Sequence, residues 1–121
     1  PSLPRADFLH LLAMADVMLD PFPFCGGNTT YEALAVGTPV VTLPGRYLRG
    51  RLTSAMYQLM GITTPIASTA DEYVKLAVRL ATDEDFGREV RRSIVETRDV
   101  LFDFSSNALS FEQMLRTWCG R

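Results

Sequence analysis

DVMLDPFPFCGGNTTYEALAVGTPVVTL, residues 16–43, is the stretch from which the architecture is read. A short apolar run over 17–19 stops at Asp20 and gives way to a proline-rich turn. Gly26 and Gly27 follow, then the polar Asn28, Thr29 and Thr30, which open a helical segment over 31–36. Gly37 ends that helix before a second apolar run over 39–43. The order is strand, glycine loop, short helix, strand, the unit from which parallel sheets are built.

The loop carries the chemistry. Adjacent glycines let backbone N–H groups approach a ligand unobstructed, and a helix N-terminus supplies orphan donors and a partial positive charge. Phosphate oxygens suit such a place. The hydroxyls of Thr29 and Thr30 would add donors, and Glu32, in the first turn, would accept a hydrogen bond from a sugar hydroxyl. The competing reading is that Asn28 or Thr29 caps the helix while the glycines only make a turn. The residues of the loop alone leave both open.

Outward from this stretch, residues 4–15 have helical spacing, with Pro4 suited to the first position and Phe8, Leu9, Leu11, Leu12 and Ala15 forming an apolar face. Pro44-Gly45 signals a turn into an arginine-rich loop, RYLRGR, and residues 52–60 are again helical, stopped by Gly61. A weak strand is expected over 62–67, kept short or at an edge by Pro65. Ser68 or Thr69 opens a helix carrying Tyr73, Val74, Leu76, Ala77 and Leu80. Asp83 caps another that runs to about Val100, with Phe86, Val90, Ile94 and Val95 inward. A turn over 103–106 leads to a last helix over 107–118, with Leu109, Phe111, Met114, Leu115 and Trp118 on its apolar face.

The expected fold class is α/β: a Rossmann-like partial parallel sheet flanked by helices, with further helices at the C-terminal end. Two or three strands make a narrow sheet, so residues 1–121 read as a single fragment, the later half of a doubly wound domain. The exposed edge of such a half-sheet favours self-association.

Composition narrows the function classes. The 121 residues are 47% hydrophobic and 21% charged, as in an ordinary globular chain able to bury a modest core. A net charge of −2 gives no general attraction to nucleic acid or to an anionic membrane. Basic clusters at Arg46, Arg49 and Arg51 and at Arg88, Arg91 and Arg92 are balanced by acids elsewhere. Cys25 and Cys119 lie far apart without metal-ligand spacing, and with one histidine no zinc site is expected. The start, PSLPRADF, has no leader pattern, and no apolar run reaches the roughly 18 residues of a membrane span. A cytoplasmic, reducing setting is the expectation.

The run ADVMLDPFPFCGGNTTYEALAVGTPVVTLPG resembles the C-terminal catalytic lobe of the protein O-linked GlcNAc transferases, including bacterial homologues linked to tetratricopeptide repeats. The likeness continues through GRYLRGRLTSAMYQLMG, DEYVKLAVRLATD and the LFD turn, so it covers nearly the whole chain. It rests on the order of glycine loop, Thr-Thr pair, carboxylate, G-T-P-V-V-T and P-G with a downstream arginine.

The resemblance implies a GT-B glycosyltransferase that inverts the anomeric centre, uses no metal and holds its donor mainly in this lobe. The donor would be a nucleotide sugar, UDP-GlcNAc first, and the acceptor Ser or Thr of a protein recognised by parts upstream. Gly26, Gly27, Asn28, Thr29 and Thr30 would hold the diphosphate and Glu32 the ribose, with either threonine as principal ligand according to the alignment chosen. Arg5 and Phe8 match a lysine and a histidine that contact the nucleotide, keeping a cation and a stackable ring. Arg51 matches the family's downstream arginine, although a solvated helix-start role is the simpler one. No catalytic residue is assigned, and the fragment is expected to be inactive alone. A nucleotide-sugar 2-epimerase or other GT-B enzyme, or a non-catalytic interaction domain, would share much of this pattern.

Three further expectations come from the residues. Asp20, at the strand edge where ligands bind in such sheets, is read as binding loop N–H groups. The aromatic set Phe22, Phe24, Phe102, Phe104 and Trp118 is read as core and lobe packing rather than a sugar platform. His10 is read as a helix-surface or packing residue, and Cys25 as a bystander thiol.

Overall fold

A computed structural model describes residues 3–120, apart from the side chains of Ser106 and Asn107. The elements run α1 (Arg5–Met14), β1 (Met18–Leu19), α2 (Asn28–Ala35), β2 (Val40–Val41), α3 (Leu52–Leu59), α4 (Ala70–Thr82), α5 (Glu84–Thr97) and α6 (Ser105–Trp118). Short 3-10 turns at Leu48–Gly50 and Arg98–Leu101 lead into α3 and out of α5. The fold is mixed α/β and mostly helical, about a small parallel sheet in which Met18 pairs with Val40 and Leu19 with Val41. The third strand is reduced to one parallel bridge, Thr42 to Ile66. Thr42 there donates to Pro65 O and accepts from Ala67 N, so the chain pairs on either side of the proline and no further.

Several boundaries differ from the expected ones for local reasons. Pro4 is the N-cap of α1, with φ −53° and ψ 145°, and not its first helical residue. The helix begun at Asp83 gives way at Arg98 to the 3-10 turn, and α6 starts at Ser105, inside the expected turn. Asp83 and Thr69 do cap their helices, accepting from Phe86 N and Glu72 N. Glu72 returns a bond to Ser68 N at 2.7 Å, which makes the start of α4 reciprocal. Gly37, at φ +86°, ends α2 in a conformation that side chains rarely adopt.

The core gathers Leu12, Ala33, Leu34, Val40, Val41, Met56, Tyr57, Met60, Ile62, Leu80, Val90, Ile94 and Leu101. Leu11, Val74 and Val95, expected inward, are exposed, and so are the apolar residues of α6 from Leu109 to Trp118. Two arginines, one on α5 and one opening the 3-10 turn after it, reach across the molecule. Arg91 donates to Ala15 O at 2.7 Å and Arg98 to Ala35 O, so carbonyls at the ends of α1 and α2 are satisfied from α5 and the turn that follows it. Among the described residues no helix is long and apolar enough to cross a membrane.

Tyr57 is fully buried, and its phenol oxygen accepts the Val40 N–H at 2.8 Å. Burial pushes its ionisation well above the usual tyrosine range; the Val40 N–H opposes this and the charge of Asp20 adds to it. An unfolded tyrosine ionises at about pH 10, so the neutral buried phenol contributes stability that is complete below that pH and is lost as the pH rises beyond it. Circular dichroism across the alkaline range is therefore expected to show the unfolding midpoint falling from about pH 10 upward. Tyr57→Phe is expected to flatten that fall and, near neutral pH, to cost about 1–3 kcal/mol by stranding the Val40 N–H.

Candidate functional site

The glycine loop leaves β1 at Asp20 and returns as α2. The N-cap of α2 is Gly27, and no side chain caps the helix, so neither Asn28 nor Thr29 is used in that way. The first N–H bonded back into the chain is that of Tyr31, which donates to Gly27 O at 3.1 Å. Among the described residues, the N–H groups of Asn28, Thr29 and Thr30 make no bond back into the chain; they lead an eight-residue helix, where the dipole is positive.

The structure separates residues that look alike in sequence. Thr29 is exposed, whereas Thr30 is fully buried with its hydroxyl 3.3 Å from that of Thr53. Thr30, with no exposed surface, presents neither its hydroxyl nor its N–H to a ligand. Gly26 has its N–H bonded to Asp20 Oδ1 at 2.7 Å, so that donor is already in use. A Cβ at Gly26 would lie 2.7 Å from Thr30 Oγ1, whereas one at Gly27 would meet open space. Gly26 is therefore required for close packing beneath the loop, and Gly27 is not required by sterics.

A cavity of about 710 Å³ runs along α2 from Asn28 past Glu32 to Val36, lined also by Arg5, Leu9, Phe102 and Phe104; Gly26, Gly27, Thr29 and Thr30 are not among its lining residues. Arg5 and Glu32, assigned from opposite ends of the sequence motif, meet here with Nε 3.4 Å from Oε1. The Arg5 side chain is exposed whereas that of Glu32 is only 25% exposed, so the arginine is the partner free to move aside for a ligand hydroxyl. Phe8 is not among the lining residues: it packs half-buried against the core, and its neighbour Leu9 takes the cavity position. The rings at the cavity are Tyr31 and Phe102, edge to face with centroids 6.0 Å apart, and Phe104. Phe102 and Phe104 are exposed, as are Phe22, Phe24 and Trp118, which corrects their reading as core residues.

Cys25 is more than a bystander. It is buried, its thiol donates to Arg49 O at 2.9 Å and accepts from Leu52 N at 3.3 Å, and its N–H also donates to Arg49 O at 2.8 Å. The glycine loop is thereby stitched to the arginine loop. Arg51 is exposed at the N-cap of α3 and His10 is exposed on α1. Asp20, by contrast, is buried, and its carbonyl accepts the Tyr73 hydroxyl at 2.9 Å. The Tyr73 phenol ionises above its usual range, first through burial and then through the Asp20 charge. Among the described residues no group of His, Cys, Asp and Glu is placed to hold a metal ion.

An uncapped helix start beside a mostly apolar cavity with a carboxylate is suited to a phosphorylated ligand bearing a sugar. The model of glycosyl transferase family 41 matches residues 4–111. The chain belongs to this family. Within the family, it is 37% identical over 105 residues to a UDP-N-acetylglucosamine–peptide N-acetylglucosaminyltransferase of Caenorhabditis elegans, covering 84% of this chain and 9% of that protein. It is 32% identical over 119 residues to a probable enzyme of the same name, SPINDLY, of Petunia hybrida, covering 93% of this chain and 13% of that one. A solved structure of a mutant Thermobaculum terrenum O-GlcNAc transferase superposes with a TM-score of 0.84 at 33% identity, over 95% of this chain and 22% of that one. The family 41 chain thus spans about a tenth of the length of these curated relatives, and its likeness to GlcNAc transferases holds in both sequence and fold.

Proposed function

We propose that the chain supplies the donor-binding face of an inverting, metal-independent transferase that moves N-acetylglucosamine from UDP-GlcNAc to Ser or Thr of proteins. The observation that carries this reading is the uncapped start of α2 opening beside the cavity that holds Glu32 and Arg5. The diphosphate sits on the N–H groups of Asn28 and Thr29 and on the Thr29 hydroxyl, with the buried Thr30 supporting the turn from beneath. Glu32 releases Arg5 and takes a ribose hydroxyl, and the base lies toward Tyr31, Phe102 and Phe104. As the glycosidic bond breaks, negative charge grows on the departing UDP. Preorganised donors and the dipole of α2 stabilise that charge more in the transition state than in the ground state, which is what accelerates the step.

Acceptor recognition belongs to other parts of the parent protein, here taken to be of the bacterial, repeat-linked and cytoplasmic type. The 121 residues alone are proposed to bind donor without transferring it. Titration calorimetry of the chain with UDP, UDP-GlcNAc and GDP tests the reading. UDP and UDP-GlcNAc are expected to bind, and Thr29→Ala to weaken both about tenfold by removing a charge-assisted hydrogen bond. A chain that unfolds cooperatively yet binds none of the three overturns it.

A further inference from the structure

Two adjacent threonines have the same chemistry, yet only Thr29 faces out. The cause lies beneath the loop. Asp20 ends β1 and is 1% exposed. Its Oδ1 accepts the Gly26 N–H and its Oδ2 the Thr42 hydroxyl, each at 2.7 Å. Its own N–H donates to Val41 O at 3.0 Å, and its carbonyl accepts from Tyr73. The residue is held by β2, by α4 and by the loop at once. Among the described residues no cation pairs with this carboxylate, so its charge is met by N–H and O–H donors alone.

The bond to Gly26 closes the turn over 21–25 and draws the loop directly above Thr30, where no Cβ would fit. Thr30 is then sealed against Thr53, and successive helical residues point about 100° apart, so Thr29 is turned outward. We propose that Asp20 is the positioning residue of the donor site: through Gly26 and Thr42 its buried carboxylate determines that Thr29, and not Thr30, presents its hydroxyl to the diphosphate. This rests on the donor-site reading above.

The test compares Asp20→Ala with Asp20→Asn in the whole chain, reading UDP affinity by calorimetry, cooperative unfolding, and the Gly26 amide in ¹H–¹⁵N spectra. Asparagine can still accept from Gly26 N–H through its oxygen and donate to Thr42 through its amide. Asp20→Ala is expected to bind UDP about tenfold or more weakly and to lose the downfield Gly26 amide, with Asp20→Asn staying within about threefold of the parent chain. A folded Asp20→Ala chain that binds UDP as the parent does overturns the proposal. So does an Asp20→Asn chain that loses as much affinity as Asp20→Ala while its Gly26 amide keeps its place.

If Asp20→Ala does not fold, Thr42→Val, which frees one carboxylate oxygen, is read instead: about threefold or more weaker binding supports the proposal, and unchanged binding overturns it. Should the parent chain bind no UDP, the donor reading fails by itself. The Gly26 amide and the Thr29 and Thr30 side-chain environments of the two variants then still decide whether Asp20 positions the loop.

Discussion

Alanine in place of Glu32 is expected to lower the affinity of the chain for UDP by about 10–100-fold while leaving its urea midpoint almost unchanged. A hydrogen bond to a charged group is worth roughly 1.5–3 kcal/mol, and each ~1.4 kcal/mol is a tenfold change in binding. Against stability the same substitution removes the contact with the 80% exposed Arg5, where surface pairs contribute roughly 0–1 kcal/mol, and some packing of the 25% exposed Glu32 stem. Calorimetry and denaturant unfolding on one preparation separate the two effects. Binding within about twofold of the parent chain would remove Glu32 from the ribose role; a large fall in the urea midpoint would make it a fold residue instead. Glu32→Gln keeps the shape and acceptor oxygen without the charge, so it should fall between the two.

The second large effect is the opposite in kind. Gly37→Ala is expected to cost about 1–3 kcal/mol through the left-handed backbone at φ +86°, against a total of roughly 5–15 kcal/mol for a domain. The added Cβ would also come within 2.8 Å of Val95 Cγ2. Val95 is β-branched and held near one χ1 rotamer in α5, so this clash adds to the backbone cost. Urea unfolding of Gly37→Ala and of Gly37→Ala with Val95→Ala distinguishes the two sources: the second change should recover only the share due to the clash. An unchanged midpoint in the single variant would mean that α2 ends equally well without glycine.

What was legible in the sequence is what local chemistry dictates. The strand, loop, helix, strand order over 16–43 is present, although each strand is two residues long. Proline at position 65 correctly limited the third strand, and the caps at Thr69 and Asp83 could be read from residue type. Arg5 and Glu32 were placed at one site by motif matching, and the structure brings them into contact.

The misreadings needed information that periodicity does not carry. Phe8 and Leu9 are neighbours on one helix, and which of them faces the cavity depends on how α1 rotates against α2. Thr29 and Thr30 are separated by a contact with Thr53, twenty-three residues downstream of Thr30. The exposed rings of Phe102 and Phe104 looked like core residues because aromatic composition says nothing of which side of a turn they occupy. A signal for Cys25 did exist in the sequence: a small apolar residue beside a glycine pair, followed by a second loop rich in glycine and arginine, is consistent with two loops in close backbone contact.

The reach of Arg91 and Arg98 has an evolutionary corollary. Arg91 on α5 holds the end of α1, and Arg98 in the following turn holds Ala35, which lines the cavity, although neither arginine lines it. Drift at either arginine is therefore expected to reshape the cavity through residues that do not line it.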